Sequence, residues 1–531
     1  MEDVAIQLSR QSGRIFNIDH GIEEIQHKLH QLDKPISVIV SNNHLTLSTF
    51  SPSSDHFHNF SAPVYLPDYL GDEDFKSTYG TKYALYAGSM ANGISSEDLV
   101  IEMGRAGMMG SFGAGGLLPD RIENAIQKIK SSLPNGPYVF NLINSPNEPA
   151  LEEKTTELYI RLGINVIEAS AYLGLTANLV WYRASGLSRD DKGNVVISHH
   201  IIAKLSRKEI ARRFLEPAPD ELLNRLVQAG KITEEQALLS RNVPMADDIT
   251  VEADSGGHTD NRPLVNVLPA IIKLRDEIQN KYGYAQIVRI GAAGGIATPA
   301  SALAAFMMGA AYVVTGSINQ ACIEACASEH TRNLLSHAEM TDVAMAPASD
   351  MFEMGTKVQV LKRGTMFAMR GQKLFEIYTR YDSINDIPVN EREKLESTVF
   401  MQSIDSVWQQ CLQFFTARDP RQIERAEKDP KAKMALIFRW YLGLSSRWSN
   451  IGEKGREMDY QIWCGPAMGA FNDWVKGTYL EHISNRTVTD INLQILTGAA
   501  YMYRIRILEA QGVKFSQSLT QYFPKQSLTT I

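Results

Sequence analysis

The middle of the chain alternates between two kinds of hydrophobic pattern. Short runs of apolar residues are separated by stretches in which apolar residues recur every three or four positions, as at Ile122, Ala125, Ile126 and Ile129. A short apolar run is typical of a buried strand, and the longer spacing is typical of an amphipathic helix. The pattern predicts eight strands, at residues 83–87, 107–112, 138–143, 165–169, 199–205, 249–253, 286–291 and 311–315.

Eight apolar strands, each followed by a helix, predict a closed (β/α)8 barrel, the TIM-barrel fold of the α/β class. The helix after the seventh strand carries signals at both ends, with Thr298 as its cap, Pro299 in its first position and Gly309 at its end. A doubly wound sheet is the alternative, and it would carry a glycine-rich dinucleotide turn after its first strand. The chain has neither the G-x-G-x-x-G spacing nor that of a P-loop, so the barrel is favoured.

The segment before the barrel, residues 1–75, predicts a small mixed α/β N-terminal domain. Residues 36–40 and 44–49 look like the two strands of a hairpin around a Ser-Asn-Asn turn. A loop rich in Ser, Pro, Asp and Asn follows at residues 51–59. The barrel domain itself is predicted to span residues 76–385.

A helical insertion is predicted at about residues 212–247, between the fifth and sixth strands. Two helical patterns lie there on either side of Ala229-Gly230-Lys231, on the rim where the site of a barrel is expected. A lid, a partner-docking surface and a passive insertion remain open as its role. After about residue 330 the alternation stops. Residues 349–360 are expected to form a loop, and residues 386–531 an α-helical C-terminal domain.

The composition narrows the class of protein. The 531 residues exceed the roughly 250–300 at which single cores stop growing, and 44% hydrophobic with 21% charged residues is typical of a soluble globular protein. The net charge of −7 argues against a nucleic-acid partner. Without a basic and apolar leader or an apolar run of about 18 residues, we expect a cytoplasmic protein with no membrane span. Cys322 and Cys326 have helical spacing, but no further cluster completes a zinc site, so no metal is expected.

The sixth strand is followed by the residues with the clearest chemistry. Residues 249–253 lead into Asp254-Ser-Gly-Gly-His258, so the histidine stands at the carboxyl end of a strand, where such barrels place their sites. Gly256 and Gly257 lack side chains, which would let a flat ligand approach the backbone. A single histidine at a strand end also occurs for structural reasons, so His258 is a candidate only together with its neighbours on the rim.

Two glycine-rich loops predict a phosphate site. Gly291-Ala-Ala-Gly-Gly-Ile296 follows the seventh strand, and Thr315-Gly-Ser-Ile-Asn319 follows the eighth and leads into a helix. Backbone N–H groups in such loops and at helix N-termini bind phosphate, and barrels recurrently use these two loops for it.

Three other strand ends add suitable groups. The first strand ends in Ala87-Gly-Ser-Met-Ala-Asn-Gly93, where Gly88 and Met90 would allow a planar ring to lie against the backbone. Asn141 would offer a donor and an acceptor to an imide edge, and Lys204 would offer a positive charge to a reduced ring. Together with the histidine and the phosphate loops, these groups predict a site for flavin mononucleotide (FMN).

The motifs around these residues, taken in order, resemble those of the 2-nitropropane dioxygenase-like flavoproteins, which include nitronate monooxygenases and flavin-dependent enoyl-acyl-carrier-protein reductases. The resemblance covers about residues 80–330 and rests on Ala84-Leu-Tyr-Ala-Gly-Ser-Met-Ala, Ala106-Gly-Met-Met-Gly-Ser-Phe-Gly-Ala-Gly, Asn141-Leu, Asp254-Ser-Gly-Gly-His, Ala293-Gly-Gly-Ile-Ala and Thr315-Gly-Ser. The rim insertion, Met354-Gly-Thr-Lys-Val-Gln-Val-Leu-Lys-Arg-Gly-Thr-Met-Phe and the helical tail resemble, more narrowly, the PfaD-type trans-acting enoyl reductases of polyunsaturated fatty acid and polyketide synthases.

The resemblance implies which residues act. FMN would contact Gly88, Ser89, Met90, Asn141, Lys204, Gly257, Gly294, Gly295, Gly316 and Ser317. His258 would be the catalytic histidine. Ser317 stands where threonine is common in relatives, which keeps the hydroxyl. The acidic residue of strand six, Glu252, is closer to the histidine than is usual in the family, so its contact with FMN stays open.

The resemblance also implies the reaction. NADPH, or alternatively NADH, would reduce FMN, and hydride would pass to the 2,3 double bond of an enoyl thioester carried on an acyl carrier protein. A nitronate monooxygenase-type flavoenzyme and a catalytically inactive scaffold barrel of a synthase are the alternatives. The oligomeric state stays open, a homodimer included. Near the rim, Arg207, Lys208, Arg212 and Arg213 form either a docking patch for an acidic carrier protein or a solvated helix face.

Overall fold

The computed structural model describes residues 6–8, 17–18, 21–41, 44–49, 59–146 and 148–526. At its centre, eight parallel strands close into a barrel, in which each strand pairs with the next along the chain and the eighth pairs with the first. The strands are β1 Leu85–Ala87, β2 Met109–Phe112, β3 Val139–Ile143, β4 Val166–Ser170, β5 His200–Leu205, β6 Asp248–Glu252, β7 Arg289–Ala293 and β8 Val313–Thr315. The predicted barrel is therefore confirmed. The largest displacement is that of β7, which begins three residues later than predicted.

Helices cover the outside of the barrel. They lie between consecutive strands or after β8, at Glu97–Arg105, Pro119–Ser132, Pro149–Arg161, Ala177–Ser185, Lys208–Leu215, Leu264–Tyr282, Pro299–Met307 and Ser317–Gln320. The predicted start of the helix after β7 is confirmed, because Thr298 Oγ1 accepts from the N–H of Ser301 at 3.3 Å and Ser301 Oγ accepts from the N–H of Thr298 at 3.0 Å. This helix ends at Met307, shortly before Gly309.

Paired charges occupy the amino end of the barrel. The Arg289 guanidinium makes two hydrogen bonds of 2.7 Å to Asp248, and Tyr79 donates its hydroxyl hydrogen to the same carboxylate. Nearby, Arg183 Nη1 donates to Asp247 at 2.8 Å. Buried charges need such partners to offset the loss of water. This end of the barrel therefore serves stability, and the carboxyl ends of the strands are left for a site.

The N-terminal segment forms a small sheet beside the barrel. Ile36–Ser41 and His44–Ser48 pair antiparallel, which confirms the predicted hairpin, and Asn17–Ile18 and Asn59–Ala62 lie at its two edges. The turn residues 42–43, and residues 51–58 of the predicted loop, lie outside the described residues. Short helices complete this part of the chain at Ile22–His30, Pro67–Tyr69 and Glu73–Tyr79.

The predicted helical insertion is confirmed. Two helices, Asp220–Gln228 and Glu234–Ser240, lie on either side of the break at residues 229–231. The second helix packs against a short hairpin that precedes β5 and was not predicted, formed by Leu187–Arg189 and Val195–Ile197.

Beyond β8, the strands Val343–Pro347 and Lys357–Leu361 form a hairpin that also pairs with Gly257–His258. The prediction of a loop over residues 349–360 was therefore wrong for its last four residues. The reason is that the strand is stabilised by partners far away in the sequence, and a local pattern contains no information about them. The helix Glu329–Ser336 precedes this hairpin. A short turn, Phe352–Met354, lies between its two strands, and the helix Phe367–Arg380 follows the second strand.

The C-terminal region is helical, as predicted. Its helices are Val389–Leu395, the π-helical Glu396–Phe400, Ile404–Arg418, Arg421–Lys428, Pro430–Ile451, Ala467–Val475, Val488–Gln511 and Gln517–Thr520, with short turns at Ile384–Asp386, Glu457–Asp459, Tyr479–Glu481 and Ile483–Asn485. A strand, Val513–Phe515, pairs antiparallel with Ile6–Leu8. Within the described residues, no helix combines the length and the apolar character that crossing a membrane requires.

The long helix Val488–Gln511 joins the C-terminal region to the barrel. It packs so closely on the helix after β7 that a Cβ on Gly498 would lie 2.4 Å from Pro299 Cγ. One continuous hydrophobic core contains Leu85 of the barrel and Leu508 of the long helix. The predicted domain boundaries after residues 75 and 385 therefore stay predictions.

Arg504 ties the N-terminal segment to the long helix. Its guanidinium is buried and donates to the carbonyl oxygens of Leu29, Gln31, Leu32 and Lys34, at 3.2, 2.9, 3.2 and 2.6 Å. We expect Arg504→Met to lower the free energy of unfolding by about 3 kcal/mol, because several carbonyl oxygens would lose their donor.

The urea midpoint measures this change. Arg506→Met is the control, since Arg506 is exposed and pairs with Glu509 on the helix surface, where substitutions cost within about 0.5 kcal/mol. Equal midpoints for the two variants would contradict the role given to Arg504.

Candidate active site

His258 stands at the carboxyl end of the barrel, on the short segment that pairs with the hairpin. Its Nε2 lies 3.2 Å from Oδ1 of Asp350, which belongs to the loop between the two hairpin strands. The histidine side chain is 32% exposed, so a ligand can reach it. Burial disfavours the charged imidazole, but the Asp350 carboxylate, together with the more weakly acting Glu252, outweighs burial and raises the pKa of His258 above its ordinary value. A larger share of the ring is therefore protonated at neutral pH.

The two glycines before His258 have different tasks. A Cβ on Gly256 would lie 2.8 Å from the backbone nitrogen of Cys464, and one on Gly465 would lie 2.8 Å from that of Gly256. The C-terminal region therefore fills the space beside Gly256, and the expectation that a flat ligand uses it was wrong. Gly257 has a φ of +81°, and a Cβ there would meet no described atom within 4 Å. This second position is open to a ligand.

The glycine-rich loops after β7 and β8 lie side by side, because these strands are neighbours in the barrel. A Cβ on Gly294 would lie 2.7 Å from the backbone of Ala253, so this glycine is needed for close packing of β6 and β7. A Cβ on Gly295 or Gly316 would meet no described atom within 4 Å. The N–H groups of Gly295, Gly316 and Ser317 donate to no acceptor in the described part of the chain. These are the free donors that the predicted phosphate site requires.

The loop after β1 continues the pairing of β1 with β8. Gly88 donates its N–H to Thr315 O at 2.9 Å. Ser89 donates both its N–H, at 3.3 Å, and its hydroxyl hydrogen to the carboxylate of Glu168. Met90, the next residue, is buried. The Ser89 hydroxyl is therefore engaged with the protein.

Lys204 is shared between two carboxylates. Its Nζ lies 3.5 Å from Glu168 Oε1 and 3.5 Å from Glu252 Oε1. Burial opposes the ammonium charge, but Glu252 and Glu168 outweigh burial and raise the pKa of Lys204. Burial raises the pKa of Glu252, against the opposite influence of Lys204. The expected positive charge at Lys204 is present, and two carboxylates already balance it, because a buried ammonium requires such partners. The expected action of this charge on a reduced ring stays a prediction.

Asn141 keeps one of its two predicted roles. Its Nδ2 donates to Glu168 O at 3.1 Å and to Ser170 Oγ at 3.0 Å, which uses both amide hydrogens. Its Oδ1 accepts no hydrogen bond within the described residues and is the group left for a ligand. The predicted donor role was wrong, and the acceptor role is compatible with the structure.

Of the predicted site residues, Asn141 lies on β3 and Lys204 on β5, and the others lie in the segments that follow β1, β6, β7 and β8. Four further residues of the site were not predicted: Glu168, Ser170, Asp350 and Gly465. Glu168 did carry a signal, since a carboxylate within an apolar strand pattern must find a partner when it is buried. Asp350 and Gly465 had none, because they reach the site from the hairpin and the C-terminal region.

Two family descriptions match parts of the chain. Residues 73–372 match the family described as nitronate monooxygenase. Residues 381–460 match one described as [acyl-carrier-protein] S-malonyltransferase, inserted helical domain. The first match covers the barrel and the hairpin, and the second covers most of the helices that precede Gly465.

Two curated relatives are similar to almost the whole chain. One of the proteins that make up the polyunsaturated fatty acid synthase of Thraustochytrium sp. is 48% identical over 495 residues, which is 92% of this chain and 33% of that protein. The polyketide biosynthesis protein PksE of Bacillus subtilis is 46% identical over 439 residues, which is 82% of this chain and 57% of that protein. The chain thus spans about a third of the first relative and somewhat over half of the second.

A solved structure shares the fold. The enoyl reductase domain of MlnA, from the macrolactin biosynthesis cluster of Bacillus amyloliquefaciens, superposes with a TM-score of 0.78 at 42% identity. The alignment covers 83% of this chain and 99% of that domain.

We expect Lys204→Met to destabilise the protein most at alkaline pH. Without the ammonium, Glu168 and Glu252 are left buried with no cation, which costs about 3 kcal/mol. An acid whose folded pKa is raised stabilises the fold at low pH and loses this contribution as the pH rises through that pKa. Because the pKa of Glu252 is already raised, protonation should restore part of the stability between about pH 8 and pH 5.5.

Tm measured across this range follows the effect. Lys231→Met is the matched control, because Lys231 pairs with Glu153 in a more exposed position. Its substitution should lower Tm only slightly at every pH. A Lys204→Met deficit that stays constant with pH would rule out the carboxylates as its cause.

Proposed function

The chain belongs to the nitronate monooxygenase family, and from this premise we propose that it is an FMN-dependent enoyl reductase. In this proposal it reduces the 2,3 double bond of enoyl thioesters carried on an acyl carrier protein, acts in trans during polyunsaturated fatty acid or polyketide synthesis, and takes its electrons from NADPH. The similarity to a polyunsaturated fatty acid synthase protein and to the enoyl reductase domain of MlnA supports this choice.

One contact carries the proposal. Gly465 donates its N–H to Ser317 Oγ at 3.0 Å in the loop after β8, and its backbone also packs against Gly256, beside His258. The histidine loop and the predicted phosphate loop are therefore joined through one residue at the same end of the barrel. A ligand held at its phosphate by one loop would present its other end near the histidine, which is the arrangement that cofactor and substrate need.

The residues present fit FMN. The free N–H groups of Gly295, Gly316 and Ser317 suit a phosphate, and the space beside both glycines is one that a Cβ would fill. Asn141 Oδ1 suits the imide N–H of a flavin ring. Further contacts are expected at Gly88, Ser89, Met90, Lys204, Gly257 and Gly294. When bound, FMN supplies the hydride that adds to the double bond.

His258 holds the proton that the reduction requires. Its Nε2 is engaged with Asp350, so Nδ1, which makes no hydrogen bond within the described residues, is the atom left for the substrate. The raised pKa favours the protonated ring, whose Nδ1–H stabilises negative charge on the thioester oxygen and then protonates the α-carbon. A nitronate monooxygenase-type reaction, the alternative, would require the same histidine in its neutral form, to take a proton from carbon.

We also propose that the helical region takes part in recognition of the carrier protein. Its segment 381–460 is similar to a domain of an acyl-carrier-protein S-malonyltransferase. This region reaches the rim, where Arg418 Nη1 donates to Gly116 O at 3.2 Å. The cationic cluster near the rim is a weaker candidate, because Arg207 is already paired with Asp260 by hydrogen bonds of 2.8 and 2.7 Å.

An anaerobic assay tests the reaction. The protein loaded with FMN should absorb at about 450 nm, bleach when NADPH is added and recover its colour when a crotonyl thioester is added. His258→Ala should keep the FMN absorbance but slow the recovery about 100-fold, because the proton donor is lost. Oxygen uptake with a nitronate in place of enoyl reduction would favour the monooxygenase, and a protein that cannot be loaded with FMN would favour the inactive scaffold.

A glycine pair tests the phosphate site. Gly295 and Gly193 have φ values of +78° and +82°, and a Cβ on either would meet no described atom within 4 Å. Alanine at either position should therefore cause a similar backbone strain of about 1 kcal/mol. We expect only Gly295→Ala to weaken FMN binding, by about 10-fold or more, because its methyl group occupies the space of the phosphate.

The dissociation constant of FMN, measured by fluorescence quenching, separates the two variants. Gly193 lies in the turn of the hairpin before β5, so its variant reports strain alone. Equal FMN affinities in the two variants would show that the phosphate does not bind at the loop after β7.

A further inference from the structure

The loop that carries His258 is held by the hairpin that follows β8. Gln359, on the second hairpin strand, is buried, and its Nε2 donates to Asp254 Oδ1 at 2.8 Å. Its Oε1 accepts from Asn261 Nδ2 at 3.0 Å. Asp254 and Asn261 flank the histidine, so the backbone of this loop is fixed on both sides. What remains to be set is the orientation of the imidazole.

Asp350 sets this orientation. Its Oδ1 lies 3.2 Å from His258 Nε2. The other charged groups that act on the ring are Glu252 and Lys204, at the mouth of the barrel. Neither makes a hydrogen bond with the imidazole within the described residues. Because the carboxylate is hydrogen-bonded to Nε2, the ring is oriented with Nδ1 facing away from Asp350.

Arg439 holds the Asp350 loop from the helical region. It lies on the helix Pro430–Ile451, its side chain is 9% exposed, and its Nε donates to the carbonyl oxygen of Ser349 at 2.8 Å. Its Nη1 lies 3.4 Å from Glu353 Oε1, on the other side of Asp350. The family match ends at residue 372, so this contact comes from a part of the chain that the family barrel does not include.

We propose that Asp350 is a positioning residue for His258, and that Arg439 fixes the loop that carries Asp350. Asp350 binds Nε2–H, which presents Nδ1–H to the substrate. Arg439 acts through Asp350 and does not touch the ring. The helical C-terminal region thereby completes the catalytic end of the barrel. The proposed function enters this inference only through its kinetic consequences.

The first experiment needs no substrate. The titration of His258 is followed by NMR in protein labelled with 13C-histidine, and the resonance is assigned by its absence in His258→Ala. In Asp350→Asn, burial and Lys204 still lower the pKa of His258, and the main influence that raises it is gone. We expect the titration midpoint to fall by about one pH unit or more, while the other histidines do not move.

The second experiment is kinetic. With a smaller protonated fraction of His258, kcat of enoyl reduction at neutral pH should fall about 10-fold, and the basic limb of its pH profile should move to lower pH. KM should change less than about 3-fold, because substrate contacts are kept. Arg439→Met should shift both readouts in the same direction by a smaller amount. Asp350→Glu, which restores a carboxylate, should recover part of both.

Asp342→Asn is the matched control. Asp342 precedes the first hairpin strand, at the end away from Asp350, and pairs with Arg363. The variant removes a carboxylate near the same hairpin, but this carboxylate does not contact the histidine. The titration midpoint of His258 and the pH profile of kcat should therefore stay as in the wild type. A shift as large as that of Asp350→Asn would show a general effect of the hairpin and would overturn the proposal.

The remaining outcomes are distinct. An unchanged His258 midpoint in Asp350→Asn overturns the role of Asp350, and an unchanged midpoint in Arg439→Met overturns that of Arg439. If Asp350→Asn does not fold, Asp350→Glu tests the role of Asp350 instead. The proposal then expects the titration midpoint of His258 to stay raised, because this variant keeps a carboxylate beside the ring. If the midpoint shifts while the wild-type protein fails to reduce any enoyl thioester, the positioning role stands and the proposed function fails.

Discussion

The pairing of β8 with β1 closes the barrel, and the candidate site depends on this closure. Val314 and Thr315 pair with Tyr86 and Ala87, and the pairing extends past the strands through the bond from the Gly88 N–H to Thr315 O. In a sheet left open at this seam, the first and last strands would lie at opposite edges. Closure brings the loop after β1 next to the loop after β8, which neighbours the loop after β7, so the residues proposed to hold a phosphate and a planar ring share one mouth with the candidate histidine.

Two basic side chains at the mouth of the barrel, Lys204 and His258, are partly withdrawn from water, and each has a carboxylate partner. Lys204 lies between Glu168 and Glu252, and His258 lies against Asp350. These pairings affect the two basic side chains differently. The charge of Lys204 is balanced by two carboxylates, whereas the single carboxylate beside His258 raises the pKa of its ring. Burial alone would have lowered the pKa of the histidine.

The regions outside the barrel are part of the same structure. Gly465 packs against Gly256 and also binds Ser317, so the C-terminal region touches two loops of the site. Arg439 holds the loop that carries Asp350, and Arg504 binds the N-terminal segment to the long helix. The match to the nitronate monooxygenase family covers residues 73–372, and Arg439, Gly465 and Arg504 lie beyond it. The extra helices therefore contact the loops of the candidate site directly.

The sequence by itself determined the strands, the capped helix after β7 and the glycine-rich loops. These features depend on neighbours in the chain: the spacing of apolar residues, the residue types at helix ends and the conformational freedom of glycine. Only the tertiary structure decided that Lys204 is shared by two carboxylates, that Asn141 keeps its acceptor alone, and that Asp350 faces His258. The physical reason is that charge, pKa and free hydrogen-bonding capacity are set by groups within a few ångströms in space, and most of those groups lie far away along the chain.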